Sequence, residues 1–166
     1  QHAAFKDRVE HKDRVFGHAH VDFVDVAAKQ GLAKAFNEVG DLFAYDADME
    51  WDFGLPWYRP TRICHVTSGS EFGWRTGNSK WSPTYPDNLP AVLNIGQGSP
   101  TSLLSLKDAK MPTKYKKSLL AFDWTFGIAH LIKLKPSGST YLADREEFLS
   151  GIPLPLTDGV IGPDGN

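Results

Sequence analysis

The sequence predicts an all-β chain of short antiparallel strands, and three observations carry that expectation. Fifteen Gly and eleven Pro punctuate the chain, which suits tight turns better than long helices. Ten Phe, five Trp and five Tyr supply the aromatic content that pleated, half-buried surfaces favour. From Asn37 onward, short apolar runs alternate with Gly, Pro, Asn and Asp clusters, the pattern of strands joined by turns.

Composition bounds the rest. Apolar residues make up 41% and charged residues 23%, ordinary values for a globular chain with a core of its own. A formal charge of −2 gives no electrostatic reason to expect nucleic acid. No apolar run approaches the ~20 residues of a membrane span. The opening stretch, Gln1 to Arg14, is charged and lacks the apolar segment of a secretory signal, so an export signal would lie outside this sequence. Cys64 stands alone, which rules out a disulfide within the chain and leaves the compartment unread.

Taken in order, residues 1–26 form a charged arm, irregular or a short helix. Lys6-Asp7-Arg8-Val9 recurs as Lys12-Asp13-Arg14-Val15, and four of the six histidines fall here. Val21 to Phe36 has apolar residues at mixed spacing and fixes no element type. Asn37-Glu38-Val39-Gly40-Asp41 is turn chemistry, followed by a strand at Leu42 to Tyr45. Asp46 to Pro60 is a long acidic and aromatic loop. Thr61 to Val66 returns to strand, Ser68-Gly69-Ser70 turns, and Glu71 to Arg75 is a short strand. After a loop over Gly77 to Pro90, strands are expected at Ala91 to Ile95 and Thr101 to Leu106. Leu119 to Trp124, Ala129 to Lys135 and Thr140 to Leu142 form a meander, turning at Thr125-Phe126-Gly127 and at Pro136-Ser137-Gly138-Ser139. Further strands follow at Arg145 to Leu149 and Leu156 to Ile161. A four-stranded propeller blade takes roughly 40–50 residues. Residues 27–166 therefore supply about three blades of a partial β-propeller built of antiparallel meanders, fewer than closure needs.

Four stretches carry a resemblance. They are Phe36 to Phe43 with Tyr45 to Asp52; Pro56-Trp57-Tyr58-Arg59-Pro60-Thr61-Arg62 running into Gly69 to Arg75; Gly98-Ser99-Pro100-Thr101 with Met111 to Tyr115 and Leu119 to Gly127; and Pro153 to Asp158 leading to Gly162-Pro163-Asp164-Gly165. In this order they resemble the six-bladed propellers of the glucose/sorbosone dehydrogenase superfamily. The nearest branch is the large membrane-bound dehydrogenase-like proteins, which carry this propeller beside a c-type haem domain. The resemblance implies a fragment of an extracytoplasmic, periplasmic sugar or alcohol dehydrogenase-like parent. That parent would use pyrroloquinoline quinone (PQQ) and calcium, with the missing blades and a haem domain as partners. No cofactor is assured for this chain.

The departures imply that the chain is inactive alone. The family's catalytic His belongs to an earlier blade. Its Arg-Asn pair before Gly-Leu-Ala is met here by Ala27-Ala28-Lys29-Gln30-Gly31-Leu32-Ala33, without the Arg. A family Arg is also absent near Leu156, and Cys64 stands where the near branch tends to have Asn. The alternative is a non-catalytic module that docks a glycan or a protein. A Ca²⁺-dependent lactonase-type propeller is a third option, suggested only by the acidic loop.

Candidate site residues follow from side-chain chemistry. Asp46, Asp48 and Glu50 alternate with Asp52 in one loop, and alternate carboxylates supply the oxygens that hard cations take. The spacing is not an EF-hand, since Trp51 and Trp57 occupy its Gly and Glu positions. The bland reading pairs these acids with Arg59 and Arg62. Arg59, Arg62, Trp74 and Arg75, with Trp51, Trp57 and Tyr58 nearby, combine guanidinium forks with aromatic faces, as a sugar or carboxylate site does. The alternative is Arg stacked on Trp as ordinary packing. His18 and His20 lack a third ligand for a metal. His65 and His130, each in an apolar run, read as core histidines, and Cys64 reads as a half-buried thiol with no activating motif nearby. Lys107, Lys110, Lys114, Lys116 and Lys117 read as a solvated loop.

Overall fold

A computed structural model describes residues 33–48, 58–73, 84–86 and 88–166. The expected arm at 1–26 lies outside these residues. So do the Gly31-Leu32 match to the family motif and three of the candidate site residues, Glu50, Trp74 and Arg75.

The fold is all-β. Two four-stranded antiparallel sheets follow one another along the chain. The first contains β1 (Ala33–Phe36), β2 (Leu42–Asp46), β3 (Thr61–Val66) and β4 (Leu93–Gly96). The second contains β5 (Pro100–Ser105), β6 (Ser118–Asp123), β7 (Ile128–Ser137) and β8 (Thr140–Ser150). Each sheet is a simple meander, strand after strand. Apart from one 3-10 turn at Thr113–Tyr115, the described residues hold no helix.

Local chemistry explains the turns. The β1–β2 turn closes on Asn37, whose Oδ1 accepts hydrogen bonds from Val39 N (3.1 Å) and Asp41 N (2.8 Å). Gly40 takes the left-handed φ of 93° that this closure needs. The β7–β8 hairpin pairs Ser137 with Thr140 and turns through Gly138 at φ 60°. Such positive φ values are what two-residue hairpins require.

Packing assembles the sheets. Ala33, Ala35, Phe43, Tyr45, Ile63 and Ile95 of the first sheet face Leu103, Leu119, Ala121 and Ile132 of the second. β1 packs closely on β5, whereas β4 only touches β8, so the sheets fan apart from an inner edge, as propeller blades do. The small side chains of Ala33 and Ala35 permit that close inner approach. All six residues of β6 are buried, because this strand is covered on both faces. Its second face, with Leu120 and Phe122, packs with Leu106 and Ala109 and with Leu156 and Ile161 of the final stretch.

Several details differ from the sequence reading. The described residues hold two blades where about three were expected. Thr140–Leu142 and Arg145–Leu149 form one strand, since Ala143 and Asp144 continue the ladder opposite Leu134 and Lys133. Leu156 to Ile161 is not a strand: it follows Pro153 and Pro155, which have no N–H to donate. Side chains of β5 fasten it instead, Thr101 Oγ1 donating to Leu156 O (2.9 Å) and Ser102 Oγ to Asp158 Oδ1 (2.6 Å). Glu71–Gly73 is likewise irregular. Conversely, β1 occupies part of the segment whose spacing fixed no element.

Candidate functional site

β2, β4, β6 and β8 all end at the same edge of the fan, where β3, β5 and β7 begin. Most of the candidate polar residues that the structure describes gather there.

Asp46 closes β2 and Arg62 lies opposite it in β3. Arg62 Nε donates to Asp46 Oδ2 at 2.7 Å, and the two side chains are only 7% and 4% exposed. Arg62 Nη2 also donates to the Phe72 carbonyl, with the guanidinium 6.0 Å from the Phe72 ring centre. Arg62 is thus held inward by a carboxylate, a carbonyl and a ring, as the ion-pairing reading had it.

Asp48 is buried. Its Oδ2 accepts from Tyr58 Oη at 2.8 Å, while its Oδ1 is enclosed without a hydrogen-bond partner. Burial pushes the Tyr58 hydroxyl up from its ordinary value, and the bond to Asp48 and that residue's charge add to the effect. Arg59, half-buried, donates from Nη1 to the Tyr58 carbonyl (3.1 Å), and its Nε is enclosed without a partner. Asp48, Tyr58 and Arg59 therefore form one group next to the Asp46–Arg62 pair.

A second group fills the same end of the seam between the sheets. Tyr45 and Thr61 are fully buried on the inner face. Their hydroxyls do not meet hydrogen-bond geometry with each other, and both lack a partner. Burial is the main cause that drives the Tyr45 hydroxyl far up, and its neighbours include Asp123, Arg145 and Asp48. Asp123, 1% exposed, closes β6 and accepts from Phe126 N at 2.9 Å. Its other oxygen sits against Gly98, where a Cβ would stand 1.8 Å away. His130 lies one row along the sheet, buried, and burial lowers its pKa, with Arg145 adding to the effect and Asp123 and Glu147 opposing it.

Other sequence candidates lie elsewhere. His65 is at the opposite end of β3. Its ring stacks on Phe43 at 5.2 Å and its Nδ1 is 3.1 Å from Thr140 Oγ1. Burial lowers its pKa, with Asp41 opposing. Cys64 is a buried thiol. Lys107 pairs with Asp108 at 3.0 Å and Lys114 lies 4.7 Å over the Tyr115 ring. Among the described residues, no group of three or more His, Cys, Asp or Glu is arranged to hold a metal, and no helix is long and apolar enough to cross a membrane. Sequence reasoning missed Tyr45, Thr61 and Asp123, whose meeting depends on pairing across strands and between sheets and leaves no local spacing to read.

No family model matches the chain, and no curated protein matches it. Solved structures do. A protein described as an oxidoreductase (glucose dehydrogenase) from Thermus thermophilus superposes with a TM-score of 0.61 at 17% identity, covering 80% of this chain and 36% of the other. The PQQ-bound form of an aldose sugar dehydrogenase from Streptomyces coelicolor superposes with a TM-score of 0.55 at 17% identity, covering 76% and 33%. The chain thus has the propeller fold of these proteins and spans about a third of their length.

Proposed function

We propose that this chain is the ligand-binding part of a sugar or alcohol dehydrogenase-like propeller, holding its ligand at the end where Asp48, Arg59 and Arg62 gather. The observation that carries the reading is the pair of enclosed, unpartnered polar atoms there, Asp48 Oδ1 and Arg59 Nε, in a fold shared with a PQQ-bound aldose sugar dehydrogenase. Enclosed polar atoms are costly unless something bonds to them.

The described residues fit an acidic quinone better than they fit a calcium ion. The Arg59 guanidinium suits a carboxylate of an acidic quinone. Asp48 Oδ1 is a hard-cation ligand in kind, but the carboxylate of Asp46 is held by Arg62, so the described residues supply one free carboxylate oxygen rather than a calcium site. When bound, the quinone would supply the two-electron acceptor for oxidising a hydroxyl to a carbonyl. Within the chain, Asp48 orients Tyr58 and the Tyr58 carbonyl orients Arg59, so these side chains position ligand. A general base must lie within reach of the substrate hydroxyl. His65 sits at the far end of its strand, and arginine stays protonated and takes no proton. Turnover is assigned to a longer, extracytoplasmic parent with further blades and a haem domain as electron acceptor, because the resemblance places the catalytic His in an earlier blade, and the chain alone is read as binding without oxidising.

The second reading, a non-catalytic glycan- or protein-binding module, is favoured by the engagement of Arg62 with Asp46 and Phe72. Calorimetric titration of the full chain with PQQ, with and without Ca²⁺, separates the two, alongside dye reduction with several aldoses. Quinone binding that Arg59→Ala weakens, without turnover, supports the first reading. No quinone binding favours the module, and dye reduction by the chain alone refutes the assigned inactivity.

A further inference from the structure

Tyr45 and Thr61 carry hydroxyls into the seam between the two sheets. Both residues are 0% exposed, and neither hydroxyl has a hydrogen-bond partner. Strand register puts the two side chains on one face. Tyr45 of β2 is paired with Ile63 of β3, and Thr61 lies two residues before Ile63, so its side chain leaves the sheet on the same side. Arg62, between them, turns the other way, to Asp46 and Phe72. Tyr45 and Thr61 are thus diagonal neighbours, ~7–8 Å apart and within reach of an aromatic side chain. Their face is the one turned to the second sheet, where Tyr45 and Ile63 join Leu119 and Ala121 in the core.

The strand on the other side of Thr61 leaves room. Gly96 of β4 is paired with Thr61. It has no side chain, and a Cβ there would meet nothing within 4 Å. The ladder is also irregular at this point. Thr61 pairs with Gly96 and Arg62 with Asn94, so Ile95 is an extra residue, and a bulge of this kind disrupts the pairing locally.

The chemistry of the two groups selects what sits between them. Each hydroxyl can donate and accept, and burial keeps the Tyr45 phenol protonated by driving its pKa up. An apolar guest would leave both oxygens unsatisfied. A sugar or a quinone cannot enter where both residues are fully enclosed. Water donates and accepts at once, and a polar, roomy, enclosed position is where ordered water is held.

We infer that an ordered water molecule bridges Tyr45 Oη and Thr61 Oγ1 in the gap beside Gly96. It lies behind the candidate site, since Asp46 follows Tyr45 and Arg62 follows Thr61 on the opposite face of the same strands. The bridge therefore backs the strand ends that position the Asp46–Arg62 pair. It does not depend on the ligand proposed above.

A crystal structure of the full chain, at a resolution that shows ordered water, tests the bridge. A density peak is expected within about 3.2 Å of both oxygens. Oxygen-17 relaxation dispersion counts long-lived internal waters in solution without interference from exchanging hydroxyl protons. Thr61→Val and Tyr45→Phe should each lower that count by one, because a water left with a single protein hydroxyl is not retained. A direct bond between the two hydroxyls, a cation at that place, no density peak there, or a count that either variant leaves unchanged overturns the bridge. The crystal structure needs no variant, so it decides the matter even if a variant fails to fold.

Discussion

Replacing Asp46 by Ala probes what holds the candidate site in place. Its carboxylate and Arg62 are almost fully enclosed, at 4% and 7% side-chain exposure, with Nε 2.7 Å from Oδ2. An exposed pair would contribute at most ~1 kcal/mol. Here the variant leaves a guanidinium buried with its charge uncompensated, which costs ~3–5 kcal/mol. The Phe72 carbonyl still accepts from Arg62, which places the expected loss toward the lower end. For a chain of 166 residues, each kcal/mol corresponds to roughly 2–4 °C in Tm, so a drop of ~6–20 °C is expected. Urea unfolding followed by tryptophan fluorescence gives the free energy, and thermal melting followed by circular dichroism gives Tm. The double variant Asp46→Leu with Arg62→Met removes both charges and should recover most of the loss, because apolar replacement of a buried pair is often near neutral. A loss below ~1 kcal/mol for Asp46→Ala, or no recovery in the double variant, would show that the pair does not anchor β2 to β3.

Two further outcomes follow from the same geometry. Burial depresses the folded pKa of both His65 and His130 below 6.5, so the folded chain binds fewer protons than the unfolded chain in that range. The associated stability is present above pH 6.5 and is lost as pH falls through the folded values. Calorimetry should show Tm falling below pH 6.5, with a shallower fall in His65→Gln and His130→Gln. A Tm that rises or stays level on acidification contradicts this. Gly98→Ala places a Cβ 1.8 Å from Asp123 Oδ2 and should destabilise by ~1–3 kcal/mol. It should also shift the Phe126 amide resonance as its bond to Asp123 breaks, and an unchanged amide would refute the contact.

Much of the fold was legible because its signals are local. Asn37 to Asp41 read as a turn and closes on Asn37 itself. Gly138 marked a hairpin. The run Leu119 to Phe122 was apolar throughout because β6 is covered on both faces. β1 was unreadable because a four-residue strand interrupted by Lys34 shows too little alternation. Leu156 to Ile161 misled because its apolar residues pack on the sheet while the neighbouring prolines deny it a ladder. At the site, Asp46 and Arg62 were legible as opposite charges flanking a loop. Tyr45, Thr61 and Asp123 were not, since strand register and sheet stacking bring them together.

The β7–β8 hairpin carries a consequence for how the chain folds. Tyr141, near its tip, receives a hydrogen bond from Asn37 Nδ2 at 3.0 Å and donates to Asp41, bonds that span 104 and 100 residues of chain. Its ring also meets Phe43 and His65 edge-on. The hairpin itself closes over two residues and forms in ~1–10 μs. The Tyr141 contacts must instead wait for the β1–β2 turn to exist and for a loop of about a hundred residues to close, an entropic cost that contacts of high sequence separation recover late. The hairpin is thus the earliest piece of the second blade and the last to be fastened, a clasp that shuts only after both halves have formed.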